Sequence, residues 1–154
     1  MRIIGRSFFS SPDVDPVLAT YRNTVASLGL TFRDPVEVPT WTIKDDSLAM
    51  NRLLESDHPP GAVIGATDAL ALGAVRAAKE HGLAIGSDIA ITGYSETDVS
   101  SLAEPGPTTV RLPAKHLGYT AMQLLLGLMA GESVDPVTEL TGTLVIRESC
   151  GIHV

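Results

Sequence analysis

The chain is poor in cysteine and in basic residues, and each shortage bears on the class of protein. Its 154 residues include a single cysteine, Cys150, so no internal disulfide can form, which is typical of a reducing compartment. Only 11 Lys and Arg residues stand against 18 Asp and Glu residues, which gives a net charge of −7. Because Lys and Arg supply most non-specific affinity for phosphates, this composition disfavours direct binding to nucleic acid.

Long apolar runs and targeting signals are also missing. The longest uncharged apolar segment, residues 117–130, is interrupted by Gly118, Thr120 and Gln123 and is shorter than the roughly 18 residues of a membrane span. We interpret it as a buried helix. Residues 1–6 contain no apolar stretch of the kind that a signal peptide needs. We therefore expect a cytoplasmic protein with no membrane partner.

Apolar runs and helical periodicities alternate along most of the chain. Strands are predicted at residues 2–5, 36–38, 62–66 and 89–92, and the segment 62–66 is expected to be fully buried because it lacks alternation. Helices are predicted at residues 15–28, from a cap at Asp45 or Asp46 to a stop before Pro59, and at residues 68–81. This alternation, with connections too long for hairpins, predicts an α/β fold with a parallel sheet flanked by helices.

The last third of the chain has a different pattern. Residues 108–112 are predicted to be extended, and Pro113 opens a helix over residues 114–129 that Gly131 ends. Residues 140–147 have the composition of a β-rich tail. This part of the chain therefore predicts an excursion of one long helix between two extended segments.

Polar residues follow two of the predicted strands at the point where each strand ends. Thr67 and Asp68 come directly after one strand, and Tyr94 and Ser95 follow the next. Ligands of open parallel sheets bind outside the carboxyl ends of the strands, so these residues are candidates for a binding site. Asp68 could instead cap the following helix, and Tyr94 could instead contribute to packing.

Several short motifs occur in one order that resembles the effector-binding core of LacI/GalR bacterial transcriptional regulators. They are ATDALALG at residues 66–73, GYS at 93–95, PTTVR at 107–111 and LVIRES at 144–149. The resemblance implies one lobe of a periplasmic-binding-protein-like type I fold plus part of a second lobe. Residues 1–107 would form the effector-binding lobe, and residues 108–154 would form the crossover and the returning segment of the other lobe.

This resemblance implies a ligand-sensing, non-catalytic domain that binds a small-molecule effector, a sugar or related metabolite, at the cleft between the lobes. It also implies a homo-oligomer, paired through the helix at residues 68–81 with Leu72 and Val75 in the interface. Operator DNA would be a partner only through a helix-turn-helix domain that this chain does not contain. No cofactor is expected.

The resemblance also implies which residues contact the effector. Thr67, Asp68 and Ser95 match binding positions at the strand ends, Trp41 matches an aromatic residue that stacks on the ligand, and Ser11 and Asp13 fall in the first loop of the site. Thr67, Ser95 and Val17 stand where the family commonly has Asn, Asp and Arg. Losing an amide, a carboxylate and a guanidinium makes a less hydroxylated or more apolar effector plausible.

Two other classes of function are open at this point. A solute-binding protein of a transport system would share the fold. A small hydrolase could be built on Ser95, although the sequence around it lacks the second glycine of a nucleophile elbow. The four histidines are spread along the chain without the spacing of metal ligands, so we expect no metal site.

Overall fold

A four-stranded parallel sheet forms the centre of the computed structural model, which describes residues 2–5, 16–38 and 43–152. Its strands are β1 (Arg2–Gly5), β2 (Val36–Glu37), β3 (Ala62–Gly65) and β4 (Ala90–Thr92). They are hydrogen bonded in the order β2-β1-β3-β4, and every pair is parallel. The predicted parallel sheet is therefore confirmed. Because the strands are parallel, all four end at the same edge of the sheet.

Helices α1 (Pro16–Ser27), α2 (Ile43–Leu54) and α3 (Asp68–Glu80) connect the strands. The start of α2 corrects one prediction, since Asp45 and Asp46 lie inside the helix and do not cap it. Acidic residues are favoured both at the N-cap and in the first turn of a helix, where they interact with its dipole. The sequence alone therefore did not show which of these two positions Asp45 and Asp46 occupy. Pro59 follows the helix, as expected.

The main core lies between the sheet and the pair formed by α2 and α3. Met50, Leu70 and Ile91 are each 0% exposed in this core. Complete burial of one such side chain contributes roughly 1.5–3 kcal/mol. A smaller cluster around Tyr21 and Val25 of α1 contacts the opposite face of the sheet. Packing on both faces holds the sheet, and with it the ends of its strands, in a defined position.

Burial along β3 differs from the prediction. Val63 and Gly65 are buried, whereas Ala62 and Ile64 on the other face are only partly buried. Among the described residues, that second face is covered by α1, which offers a small apolar surface. The expectation of a fully buried strand was therefore wrong on one face.

The chain beyond residue 107 leaves the sheet and returns to it. Strand β5 (Thr109–Arg111) pairs antiparallel with β6 (Thr143–Val145), and helix α5 (Ala114–Met129) lies between them in sequence. A 3₁₀ helix, Glu148–Cys150, follows β6, and the hydroxyl of Ser149 donates to the carbonyl of Ile91 in β4 at 2.5 Å. The last described residues thus contact the parallel sheet. The division at residue 107 stays a prediction.

Helix α5 has the predicted bounds but not the predicted burial. Gly131 adopts a φ of +79° just after the helix, and its backbone N–H donates to the carbonyl of Leu128 at 3.0 Å. No residue of α5 is buried, and Met129 is 76% exposed. The interpretation of this segment as a buried helix is therefore wrong for the isolated chain, because the described residues place no element over its apolar side chains.

Candidate functional site

Two turns meet at the carboxyl edge of the sheet. The first turn follows β3 and contains Thr67, and the second follows β4 and contains Tyr94 and Ser95. The backbone N–H of Asp68 donates to the carbonyl of Tyr94 at 3.0 Å, which joins the two turns directly. The prediction that both strands deliver polar residues to one edge is confirmed.

Thr67 is the N-cap of α3. Its backbone is extended, with φ −142° and ψ 164°, and its hydroxyl oxygen accepts a hydrogen bond from the N–H of Leu70 at 3.3 Å. A threonine cap satisfies one of the free N–H groups at a helix start. The hydroxyl hydrogen of Thr67 is not used by the cap, because the oxygen is the acceptor. Thr67 therefore remains able to donate a hydrogen bond to a ligand at this edge.

Asp68 holds three segments together from a fully buried position. Its carboxylate is 0% exposed and accepts hydrogen bonds from the N–H of Thr97 at 2.8 Å, the hydroxyl of Ser100 at 2.7 Å and the hydroxyl of Thr109 at 2.6 Å. The interpretation of Asp68 as the helix cap is wrong, since Thr67 takes that role.

The predicted contact between Asp68 and an effector also needs correction. Both carboxylate oxygens are engaged inside the protein, and burial leaves no surface for a ligand. Asp68 instead positions the loop after β4, the short helix α4 (Asp98–Leu102) and strand β5 relative to α3. Its role is to shape the edge of the site.

The loop after β4 has an unusual backbone. Ser95 and Glu96 have φ values of 103° and 50°, although neither is glycine. Such conformations cost on the order of 1–3 kcal/mol each and persist where the surroundings enforce them. The N–H of Ser95 donates to the carbonyl of Val110 at 3.0 Å, and Tyr94 beside it is 46% exposed. Ser95 is partly buried, so the loop is accessible and also fixed.

Glu96 lies between two arginines. Its carboxylate accepts from Nε and Nη2 of Arg111, the latter at 3.0 Å, and from Nη2 of Arg147 at 2.8 Å. Arg147 also donates from Nη1 to the carbonyl of Pro107 at 2.8 Å. Hydrogen bonding to Arg111 is the main cause that lowers the pKa of Glu96, with its positive charge and Arg147 adding to the effect against some desolvation. The same pair raises the pKa of Arg111.

Sequence reasoning missed this cluster of Glu96, Arg111 and Arg147, which we call the arginine clamp. Its members come from the loop after β4, from β5 and from the residues after β6. A signal did exist, because Glu96 directly follows a candidate site residue and both arginines lie in recognised motifs. Only the pairing of β5 with β6 brings them together.

The remaining predicted site residues have different outcomes. Ser11, Asp13 and Trp41 lie outside the described residues. Leu72 is partly buried on α3. Val75 is only 5% exposed and packs in the main core of the chain itself. A side chain buried in its own core has little surface for a partner, so we do not retain Val75 in the proposed subunit interface.

The described residues also bear on metal binding, membrane insertion and hydrolysis. Within residues 2–5, 16–38 and 43–152, no group of three His, Cys, Asp or Glu side chains is arranged to hold a metal ion. None of the helices in that part of the chain is long and apolar enough to cross a membrane. His81, the C-cap of α3, contacts Asn51 at 3.0 Å, whereas the loop that carries Ser95 lies at the other end of that helix.

The fold has a parallel sheet with polar residues at the carboxyl ends of its strands, and the antiparallel pair β5–β6 lies next to it. This arrangement is that of a ligand-binding lobe of the α/β type. The chain belongs to the family of periplasmic binding protein-like domains, whose sequence pattern it matches over residues 2–150.

Two curated relatives match over more than two thirds of the chain. Catabolite control protein A of Priestia megaterium is 33% identical over 131 residues, covering 84% of this chain and 40% of that protein. The transcriptional repressor CytR of Escherichia coli strain K12 is 37% identical over 110 residues, covering 71% of this chain and 32% of that repressor. The chain therefore spans well under half the length of these two relatives.

Solved structures of regulators have the same fold. The Lac repressor bound to ONPG in its repressed state matches with a TM-score of 0.84 at 29% identity, covering 97% of this chain and 45% of that one. A LacI family transcriptional regulator from Bifidobacterium animalis matches with a TM-score of 0.85 at 25% identity, covering 96% of this chain and 53% of that one. The resemblance to LacI/GalR regulators and the periplasmic-binding-protein-like fold are thus confirmed.

Proposed function

We propose that this chain is the ligand-sensing part of a LacI-type transcriptional regulator and that it binds a small-molecule effector at the carboxyl edge of its sheet. The observation that carries the proposal is the rigid, accessible loop at Tyr94 and Ser95, fixed beside the N-cap of α3 and beside β5. Preformed polar groups at a strand-end crevice are the usual basis of ligand recognition in such sheets.

The free polar groups of this edge narrow the chemistry of the effector. Among the described residues of this edge, the carboxylates of Asp68 and Glu96 are occupied by partners within the chain, whereas the hydroxyls of Thr67 and Ser95 and the exposed ring of Tyr94 can face a ligand. Hydroxyls and an aromatic ring suit a neutral ligand with few hydrogen-bonding groups. We therefore favour a neutral metabolite with an apolar face and fewer hydroxyl groups than a free sugar, such as a substituted sugar derivative. Trp41, Ser11 and Asp13 remain proposed contacts on sequence grounds.

Binding can be tested with a chemically graded panel. Isothermal titration calorimetry against neutral sugars, aryl glycosides, nucleosides and sugar phosphates should give saturable binding for at least one neutral class. Thr67→Val and Ser95→Ala should each weaken that binding about tenfold, because each removes a hydrogen bond to the ligand. Thr67→Val also removes the N-cap of α3, so urea unfolding must show that this variant is still folded under the conditions of the titration. Ser27→Ala is the matched control, since Ser27 lies at the end of α1 and its hydroxyl donates to the carbonyl of Thr24 in the same helix.

Two results would overturn the proposal. One is the absence of binding across the whole panel, and the other is binding that survives both site substitutions unchanged. If only the charged sugar phosphates bind, the neutral effector class is wrong although the site is right. Trp41→Ala should also weaken binding if Trp41 stacks on the ligand.

The wider assembly is part of the same proposal. The parent regulator would act in the cytoplasm and would contact operator DNA through a separate domain. It would self-associate through the lobe that contains α3, with Leu72 at the interface. The acidic composition of the chain supports a separate DNA-binding domain. A transport role shares the fold, but CytR is a transcriptional repressor and the matching structure from Bifidobacterium animalis is a LacI family transcriptional regulator.

A further inference from the structure

The loop that carries Ser95 is hydrogen bonded to both β5 and α3. The N–H groups of Ser95 and Thr97 donate to Val110 and Asp68, and the carbonyl of Tyr94 accepts from the N–H of Asp68. Glu96 is the one residue of this loop whose side chain is engaged by charged partners, and it sits in a left-handed conformation. A non-glycine residue keeps that conformation only where outside contacts enforce it.

The arginine clamp supplies those contacts. The side chain of Glu96 is only 11% exposed and that of Arg147 is 22% exposed, so these two form a shielded pair, whereas the side chain of Arg111 is 60% exposed. Arg111 presents two nitrogens to the carboxylate in a fork, which is the geometry that makes such pairs directional. The pKa of Glu96 is lowered in the same sense, since both guanidinium groups favour its charged form.

The clamp also connects parts of the chain that are distant in sequence. Arg111 is the last residue of β5, and Arg147 follows β6 and reaches back to the carbonyl of Pro107 at the start of the crossover. The two strands pair with each other, with Arg111 opposite Thr143. A shift of this strand pair relative to the sheet would therefore pull on Glu96.

The geometry points to Glu96, Arg111 and Arg147 as positioning residues that hold the Ser95 loop in the shape that receives the effector and link this shape to the strand pair β5–β6. None of the three needs to touch the ligand. This inference rests on the proposed function for its biological meaning. Its structural content concerns the loop alone and can be tested with no ligand present.

Hydrogen–deuterium exchange of the purified chain, read by mass spectrometry, provides that test. Glu96→Gln keeps the size of the side chain but removes its charge, so amides in peptides covering residues 94–97 should exchange about tenfold faster. Peptides from the centre of α3 should keep their protection. Glu80→Gln is the matched control, because Glu80 forms an exposed pair with Arg76 on α3 and should leave the Ser95 loop unchanged.

A second variant separates positioning from a general loss of stability. Arg147→Gln alone should speed the exchange of the same peptides, and the combined effect of Glu96→Gln and Arg147→Gln should be smaller than the sum of the two, because each change alone already removes the Glu96–Arg147 pair. Unchanged exchange in Glu96→Gln would overturn the inference. Equal acceleration in the loop and in α3, or fully additive effects in the double variant, would overturn it as well.

The same data keep this inference apart from the proposed function. Loss of loop protection in Glu96→Gln supports the clamp even if no compound of the binding panel binds. Conversely, an effector that binds wild type and Glu96→Gln equally, with the loop protected in both, would support the proposed function and reject the clamp.

Discussion

At the scale of single residues, the buried carboxylate of Asp68 determines how the edge of the sheet is shaped. Three donors from three other segments point at it, and two of them are side-chain hydroxyls. Its neighbour Gly93 is part of the same arrangement, because a Cβ at that position would overlap the Asp68 carboxylate. Stability and site geometry therefore depend on the same atoms.

Asp68→Asn should destabilise the fold by about 1–3 kcal/mol, because an amide NH₂ would face donors that now meet a carboxylate oxygen. Urea unfolding followed by circular dichroism measures the effect. Asp98→Asn on the exposed first turn of α4 is the control and should change the free energy of unfolding by less than about 0.5 kcal/mol. Equal effects of the two substitutions would contradict the role assigned to Asp68.

Glu96 should make stability depend on pH in a defined direction. Its pKa is lowered in the folded chain by Arg111 and Arg147, so the folded state binds the proton less tightly than the unfolded state. The stabilisation is present above the unfolded pKa of about 4.3 and is lost as the pH falls through the lower, folded pKa. Among the described residues, Asp68 and Asp98 are acidic groups near this loop, and both are present in the wild type and in the variant Glu96→Gln.

The measurement compares wild type with Glu96→Gln by urea unfolding between pH 7 and pH 3. The wild type should be the more stable protein at pH 7, and the difference should shrink below about pH 4. A difference that stays constant over this range would show that the charge of Glu96 does not contribute.

At the scale of elements, local signals were enough to predict most of the helices and strands. The bounds of α5 follow from Pro113 and Gly131, and those of α3 from Thr67-Asp68 and Gly82, because proline, glycine and cap residues act on the nearest turn. Parallel pairing followed from the alternation of elements. These features depend on residues that are close in sequence.

The site itself could be predicted only in outline. The edge was found because strand ends meet there, but the partners of Asp68 lie 29 to 41 residues further on. The left-handed backbone of Ser95 and Glu96 could not be predicted, because neither residue is the glycine that usually marks this conformation in a sequence. The clamp requires that β5 and β6 already be paired. Such contacts depend on the assembled fold, and propensity and spacing do not contain them.

Helix α5 leads to a prediction about association. Its apolar side chains are half or more exposed in the isolated chain: Leu117, Tyr119, Met122, Leu125, Leu126, Leu128 and Met129. An apolar surface of this kind on a soluble chain favours association between copies. Size-exclusion chromatography with light scattering at high micromolar concentration should therefore detect oligomers, and Leu125→Asp should disperse them.

The control for this prediction is Val137→Asp, which places the same charge at a 69% exposed position outside the helix. It should leave the oligomer intact. Far-ultraviolet circular dichroism should show that both variants keep the helix content of the wild type. A wild-type chain that is monomeric throughout, or an oligomer that persists in Leu125→Asp, would contradict the prediction.

At the scale of the whole molecule, the net negative charge of the chain disfavours direct binding to DNA. With 11 basic and 18 acidic residues, the chain repels a phosphate backbone. Fluorescence anisotropy with labelled duplexes at low salt should therefore give no sequence-selective binding by this chain. CytR from Escherichia coli on its own operator serves as the positive control. Selective retention of one duplex would show that the chain carries a DNA-binding surface of its own.

The antiparallel pairing of β5 and β6 makes the fold modular. Because Arg111 and Thr143 are cross-strand partners, residues 112–142 form a closed excursion whose two ends lie side by side. A short turn of the kind that closes β-hairpins could replace that whole excursion without moving either strand. The product would be a minimal sensor that keeps the sheet, its carboxyl edge and the arginine clamp but lacks α5 with its exposed apolar side chains. It could be grafted into a loop of another protein as a compact recognition module.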